Sequence, residues 1–404
     1  MVRPERRTPA DVVAGTAVAV VVAVVAAAIW WTSDARATSS RPAAVPLTEP
    51  SSAHGVPALL KQLWTAASPA TRGPVVVAGA VVTGAGRVVD GRDPATGEVR
   101  WSYQRDRDLC AVSWVYRYAV AVYPDDRGCG QVSTVDGSTG RRGPARSSYA
   151  DKHVELSSDG TTVLSAGDTR LELWRSDMVR MLSYGEIDAP VKPSAPGLHT
   201  GCRLTSAAAS SSAVSVLEAC GTQPDLRLTL LRPSKEEDEP DKRYVAEPGV
   251  GVGSSARVLA VAGTRTAVYL PSPRPRVEVL DETGATVAST PLPKPPAAST
   301  LVTRSGNLVS WWTGDAVLVF DAVNLTYRYT IAAAGPEVPL GPATLMAGKL
   351  LVPVTGGLAV CDPVSGARGR SLPVRRPAGT TSVIPAVAGS QVLEQRGDTV
   401  VALG

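Results

Sequence analysis

Val88-Val-Asp-Gly-Arg-Asp93-Pro-Ala-Thr96-Gly97-Glu-Val-Arg-Trp101 reads as an apolar strand, a turn opened by aspartate, and a second strand with tryptophan eight residues past that aspartate. The Asp side chain accepts from backbone N–H groups two or three residues on, and Gly supplies the positive φ that closes the turn. The signature recurs at Asp136-Gly-Ser-Thr139-Gly140, Asp281-Glu-Thr283-Gly284 and Asp362-Pro-Val-Ser365-Gly366. Asp93 to Asp136 is 43 residues, Asp136 to Asp177 is 41, Asp281 to Asp321 is 40, and Asp321 to Asp362 is 41. Such a period marks a repeat architecture. One more step of 41 lands on Leu403, where the chain runs out of room for a fourth strand. A matching strand stands instead at Leu59-Leu-Lys-Gln-Leu-Trp64. A circular array closed by its own N-terminal strand accounts for both ends. The expectation is an all-β, eight-bladed β-propeller, with seven blades as the alternative count.

Units of three strands, a turn and a fourth strand fall near 72–107, 108–148, 153–190, 201–248, 256–293, 299–335 and 341–376, with the eighth shared between 380–404 and 57–66. Pairing the two ends removes exposed sheet edges and fastens the ring. Asp177 to Asp281 is long, at 104 residues for two units, and the charged excursion Lys235-Glu-Glu-Asp-Glu-Pro-Asp-Lys242 within it reads as a solvated loop. Trp101, and Trp64 at the equivalent place in the closing strand, are expected to pack between blades, as are Trp311 and Trp312, which face opposite ways in one strand.

Upstream of the array, Val12 to Trp31 is a run of 20 residues without a charge, long enough to cross a bilayer as a helix. Arg3, Arg6 and Arg7 precede it and Trp30-Trp31 end it, which places residues 1–11 in the cytoplasm and the array outside. The alternative is secretion after cleavage near Ala37, since Ala35-Arg36-Ala37 has a small-x-small form. Residues 32–56, rich in Ser, Ala, Pro and Thr, read as a flexible tether, and 57–404 as the propeller. Cysteine placement suits an oxidising compartment. Cys110 opens one expected strand and Cys129 closes the next, and Cys202 and Cys220 repeat the arrangement, so both pairs are expected to form disulfides. Cys361 is expected to be a buried free thiol.

The repeat resembles that of the pyrroloquinoline-quinone-type propellers, an apolar strand followed by Asp-x-x-Thr-Gly-x-x-x-Trp. The unit ending in Trp101 carries it in full; Asp136, Thr139 and Gly140 match its first part, and Asp362 and Gly366 match loosely. The units near 177, 232 and 321 are degenerate. At offset eight, Pro144 and Arg370 replace the tryptophan. The family contains quinoprotein dehydrogenases and non-enzymatic, BamB-like members. The resemblance to the enzymes would imply adjacent cysteines and a calcium site with a catalytic Asp; this sequence has no Cys-Cys pair. The expectation is therefore closer to the non-enzymatic members, with no cofactor and no metal.

Composition excludes other classes. Hydrophobic residues make up 44% and charged residues 19%, and the net charge of +4 gives no basic field for nucleic acid. Among three histidines, His54, His153 and His199, none is spaced for a metal or a triad. Neither a Gly-x-Ser-x-Gly elbow nor a phosphate loop occurs. The functional expectation is a membrane-anchored extracytoplasmic scaffold that binds an envelope protein partner and contacts the membrane through Val12–Trp31. The alternatives are a carrier or sensor of a small envelope ligand in the funnel, and a quinone-dependent dehydrogenase.

Overall fold

The computed structural model describes residues 8–33, 36–187, 201–237 and 239–404. Arg3, Arg6, Arg7 and His199 lie outside the described residues. Eight antiparallel sheets form eight blades. Blades 1 to 7 occupy 75–104, 111–147, 155–185, 202–251, 257–291, 301–331 and 344–373. In each, four strands run outward from the axis, here called A to D. Blade 8 takes its first three strands from 384–403 and its outer strand, Gln62–Ala67, from the N-terminal side, with Gln62 opposite Leu403. The ring is completed where Lys61 and Gly404 exchange backbone hydrogen bonds of 2.8 and 2.9 Å.

Strands A and C of each blade run the same way, so the hairpins fall on two faces. The A–B hairpins and the Asp-opened C–D turns share one, the turn face. The B–C hairpins and the links between blades share the other, the link face. Second strands such as Leu308–Trp312 are buried along their whole length because blades pack on both sides. The core is correspondingly divided into eight buried clusters, one in each joint between neighbouring blades. Trp311 packs toward blade 5 and Trp312 toward blade 7.

Upstream, one helix, α1 (Pro9–Trp31), is long and apolar enough to cross a membrane, and none of it is buried by the propeller. It begins three residues before the apolar run because Thr8 and Asp11 form a reciprocal capping box and Pro9 suits the first turn. The expectation of a flexible tether over 32–56 is corrected from residue 39 on. Strand β1 (Ser39–Arg41) adds a fifth strand to the outer edge of blade 1, pairing with Val99–Gln104. The chain then crosses the turn face as a strap. Ala43 and Leu47 donate to the carbonyls of Thr139 and Ser138 at 2.9 and 2.8 Å, and Leu47 is buried. Next it passes the A–B hairpins of blades 1 and 8 so closely that a Cβ on Gly79 or Gly389 would lie 2.6 Å from Thr48 or Pro50. Ser, Pro and Ala composition signals weak self-association, but main-chain groups bond any available edge regardless of composition.

Both disulfides are present, Cys110–Cys129 and Cys202–Cys220, and lie on the link face. Cys202 and Cys220 face each other across the A–B pair of blade 4. Cys129 begins strand C of blade 2 and does not close strand B. Cys361 is buried and unpaired, and burial pushes its thiol pKa up.

Candidate functional site

Each signature turn is built by its aspartate. Asp93 accepts from the N–H groups of Ala95 and Thr96 at 2.9 and 3.1 Å, and Asp136 from those of Ser138 and Thr139 at 3.1 and 2.9 Å. Asp281 and Asp362 do the same with Thr283 and Ala285, and with Val364 and Ser365. Burial opposes the charge on Asp136, but the Thr139 N–H, the Arg117 guanidinium and the Thr139 hydroxyl outweigh it and hold the carboxyl below the usual range.

These turns receive the preceding blade. Trp64 Nε1 donates to the Pro94 carbonyl at 2.9 Å, and Trp101 Nε1 to the Gly137 carbonyl at 2.7 Å, each the residue after the turn's aspartate. Tyr329 does the same to Pro363 at 2.6 Å, and burial pushes its pKa up to about 12. The turn glycines leave room for these rings. Gly97, Gly140 and Gly366 have φ of +75°, +69° and +71°, and a Cβ there would lie 2.5, 2.3 and 2.4 Å from Trp64, Trp101 and Tyr329. At the blade 4–5 joint, Gly284 faces Val245 in the same way. In the blade 6 turn the closing residue is Leu325 at φ +60°, buried in the cluster between blades 5 and 6. Ring and glycine are volume-matched pairs.

Elsewhere the joint is fastened differently. In blade 2, Arg146 takes over two residues beyond Pro144, donating to the Met178 carbonyl at 2.8 Å with its guanidinium over Trp174. In blade 3, Ser183 N–H donates to the Glu237 carbonyl at 2.7 Å and Arg180 pairs with the Glu237 carboxylate. The charged excursion is largely exposed, as expected of a solvated loop, with Lys235, Glu236 and Glu239 all exposed, but its Glu237 also holds blade 4 to blade 3. Arg370 of blade 7 donates to the carbonyls of Val56 and Pro57 at 2.7 and 3.0 Å, beside the cut turn of blade 8. Tyr329 was missed, although its place at offset eight from Asp321 could have found it. Arg146, Glu237 and the strap had no motif to announce them.

The A strands of all eight blades enclose a central channel of about 920 Å³. Its wall is mostly small apolar and hydroxyl side chains, among them Ser113, Thr205, Ala208 and Thr303. Charged groups stand at its mouths. On the link face Arg72 pairs with Glu155, and Arg257 bonds the Thr300 hydroxyl. Burial draws the Arg257 pKa down. On the turn face stand Arg304 and Asp159, whose carboxylate is committed to the N–H groups of Thr161 and Thr162 at 2.8 and 2.7 Å. Glu155 and Asp159 sit at opposite ends of one strand, so the channel carboxylates do not converge. Among the described residues, the one group of three with metal-ligand geometry is Cys202, Glu218 and Cys220, and its two sulfurs are joined in a disulfide. These residues do not fit a quinone–calcium centre. His54 and His153 are exposed and stand apart from the channel wall.

Comparison with known proteins places this geometry. No family model matches the chain, and no curated protein matches it in sequence. Solved structures do match in shape. BamB from Moraxella catarrhalis superposes with a TM-score of 0.50 at 15% identity, covering 85% of this chain and 99% of its own. The computationally designed Ika8 protein gives 0.54 at 12% identity over 89% of this chain and 99% of its own. The C-terminal WD40 domain of Sif2 gives 0.52 at 11% identity over 87% and 99%. At these identities the likeness is one of fold.

Proposed function

We propose that this protein is a membrane-anchored extracytoplasmic propeller that acts as a non-enzymatic protein-binding scaffold in the cell envelope. One observation carries the reading: the propeller already holds an extended polypeptide. Strand β1 and the strap are seated on blade 1 and on the Asp136 turn by main-chain hydrogen bonds, which is strand addition of the kind that recognises peptides. Outer strands of other blades, such as Arg142–Ser147 and Thr286–Pro291, and other turn tips present main-chain groups of the same kind. Val323 and Val364, exposed on adjacent turns, add apolar surface. Support for the compartment comes from α1 and the two disulfides. Retention of α1 makes the protein a single-pass membrane protein with its N-terminus in the cytoplasm; cleavage near Ala37 would release it. In-cell crosslinking of the tagged full-length chain, followed by mass spectrometry of membranes, tests the scaffold. The expected result is a reproducible protein partner that disappears when residues 57–404 are removed; an unchanged set of crosslinks would overturn it.

A second reading rests on the channel, whose volume lies in the range of small-molecule sites. Here an anionic envelope metabolite binds between the mouths, with the Arg257 guanidinium as its cationic anchor. Thermal shift of the purified propeller against envelope metabolites separates the two, because a scaffold alone predicts no shift, and Arg257→Gln should abolish any shift seen.

A further inference from the structure

We propose that the link face, with both disulfides and the channel mouth marked by Arg72, Glu155 and Arg257, is turned toward the membrane, and that the turn face points away from it. This rests on the reading that α1 is retained as an anchor. Strand polarity carries the orientation. Ser39 pairs with Gln104 and Arg41 with Ser102. Gln104 is the last residue of strand D in blade 1 and therefore lies at the link face. Beyond Arg41, Pro42 and Ala43 reach the Asp136 turn on the opposite face, where the Ala43 N–H meets the Thr139 carbonyl. The chain thus arrives at the link-face rim and climbs the outer edge to the turn face.

What precedes Ser39 leaves little slack. Arg36 N–H donates to the Ser33 carbonyl at 3.1 Å, close to the end of α1. The Arg36 guanidinium lies 3.5 Å from the ring centroid of Trp31 and 5.5 Å from that of Trp30, the pair that ends the apolar helix. Tryptophans at such an end sit at the bilayer interface. From Arg36 to Ser39 there are three Cα steps, a reach of at most about 11 Å. Strand Val99–Gln104 is six residues long, so a blade is about 20 Å tall. With the turn face against the membrane, the chain would have to climb that full height before pairing with Gln104, which 11 Å does not allow.

The test uses the full-length protein in liposomes containing headgroup-labelled acceptor lipid. A donor dye is attached to single cysteines introduced on opposite faces of the same blade: Thr355→Cys and Val364→Cys in blade 7, Arg274→Cys and Glu282→Cys in blade 5. Native cysteines are paired or buried, and the unsubstituted protein gives the background. Energy transfer at Thr355 and Arg274 should exceed that at their blade partners by at least about twofold in both blades, a pattern that tilt alone does not produce. Equal or reversed transfer, with the protein floating with the vesicles, overturns the orientation and leaves the anchor standing. Recovery of cell-derived protein with an intact mass beginning near Thr38, unable to float with vesicles, overturns the anchor reading and the orientation with it.

Discussion

At the residue scale, the signature turn does two jobs that its sequence shows together. Asp136 shapes the turn, and the same turn offers the Gly137 carbonyl to Trp101, which is 1% exposed. Replacing Trp101 with Phe keeps most of the buried area and leaves that carbonyl unpaired, so a loss of about 1–3 kcal/mol is expected in urea denaturation. An unchanged midpoint would mean the bond contributes nothing. Asp136 adds a pH signature. Its folded pKa is depressed, so its contribution is present above the unfolded value of about 4 and is lost as pH falls through the folded value. The Tm gap between the parent and Asp136→Asn should be open at pH 7 and close progressively below about pH 4. These residues were legible because Asp, Gly and Trp each have one dominant reason to stand where they do. Arg146 was not, because a long side chain reaches its acceptor from a neighbouring position on the same face of the strand.

Among elements, the joints differ in chemistry while keeping one geometry. Glu172 of blade 3 is buried and meets Arg170, Arg180 and Arg146 at 2.6, 3.1 and 3.4 Å, with Trp174 Nε1 at 2.8 Å. Burial works against its charge, yet the three guanidinium groups outweigh burial and hold its pKa down. Glu172→Gln leaves Arg170 and Arg146 without the counter-ion they share, while Arg180 keeps Glu237, and should cost about 3–5 kcal/mol. Adding Arg146→Met should recover part of that loss in a double-mutant cycle, whereas strict additivity would show that the cluster is not coupled. The strap makes its own prediction. Amide exchange should be slower at Ala43 and Leu47, which donate to blade 2, than at Ser51 and Ser52 downstream. The eight blades were legible from spacing alone, as period and turn chemistry are local. The strap was not, since its pairing partner is an open edge that exists only once blade 1 has folded.

Across the whole molecule, the sequence revealed ring closure because a repeat broken at both ends leaves a mark at each. It could not reveal the division of the core into eight layers, since no sequence pattern states which blade faces touch. Closure also predicts how the protein fails. Removing residues 1–38 leaves β1 and the ring in place and should preserve the Tm of the propeller. Extending the deletion through Ala67 strips the outer strand of blade 8, exposes Thr399–Leu403 as an edge, and should yield aggregated or protease-sensitive protein. Equal stability of the two truncations would show that the split blade is dispensable. A timing consequence follows from the pairing of Gln62 with Leu403. The first strand of the ring, Gln62–Ala67, must wait for Thr399–Leu403, so the ring cannot shut until its last blade has been made. While it waits, that strand is an unclaimed edge. The folding chain is therefore an open wheel until its eighth blade is complete, and a chain lacking Thr399–Leu403 is a wheel that never shuts.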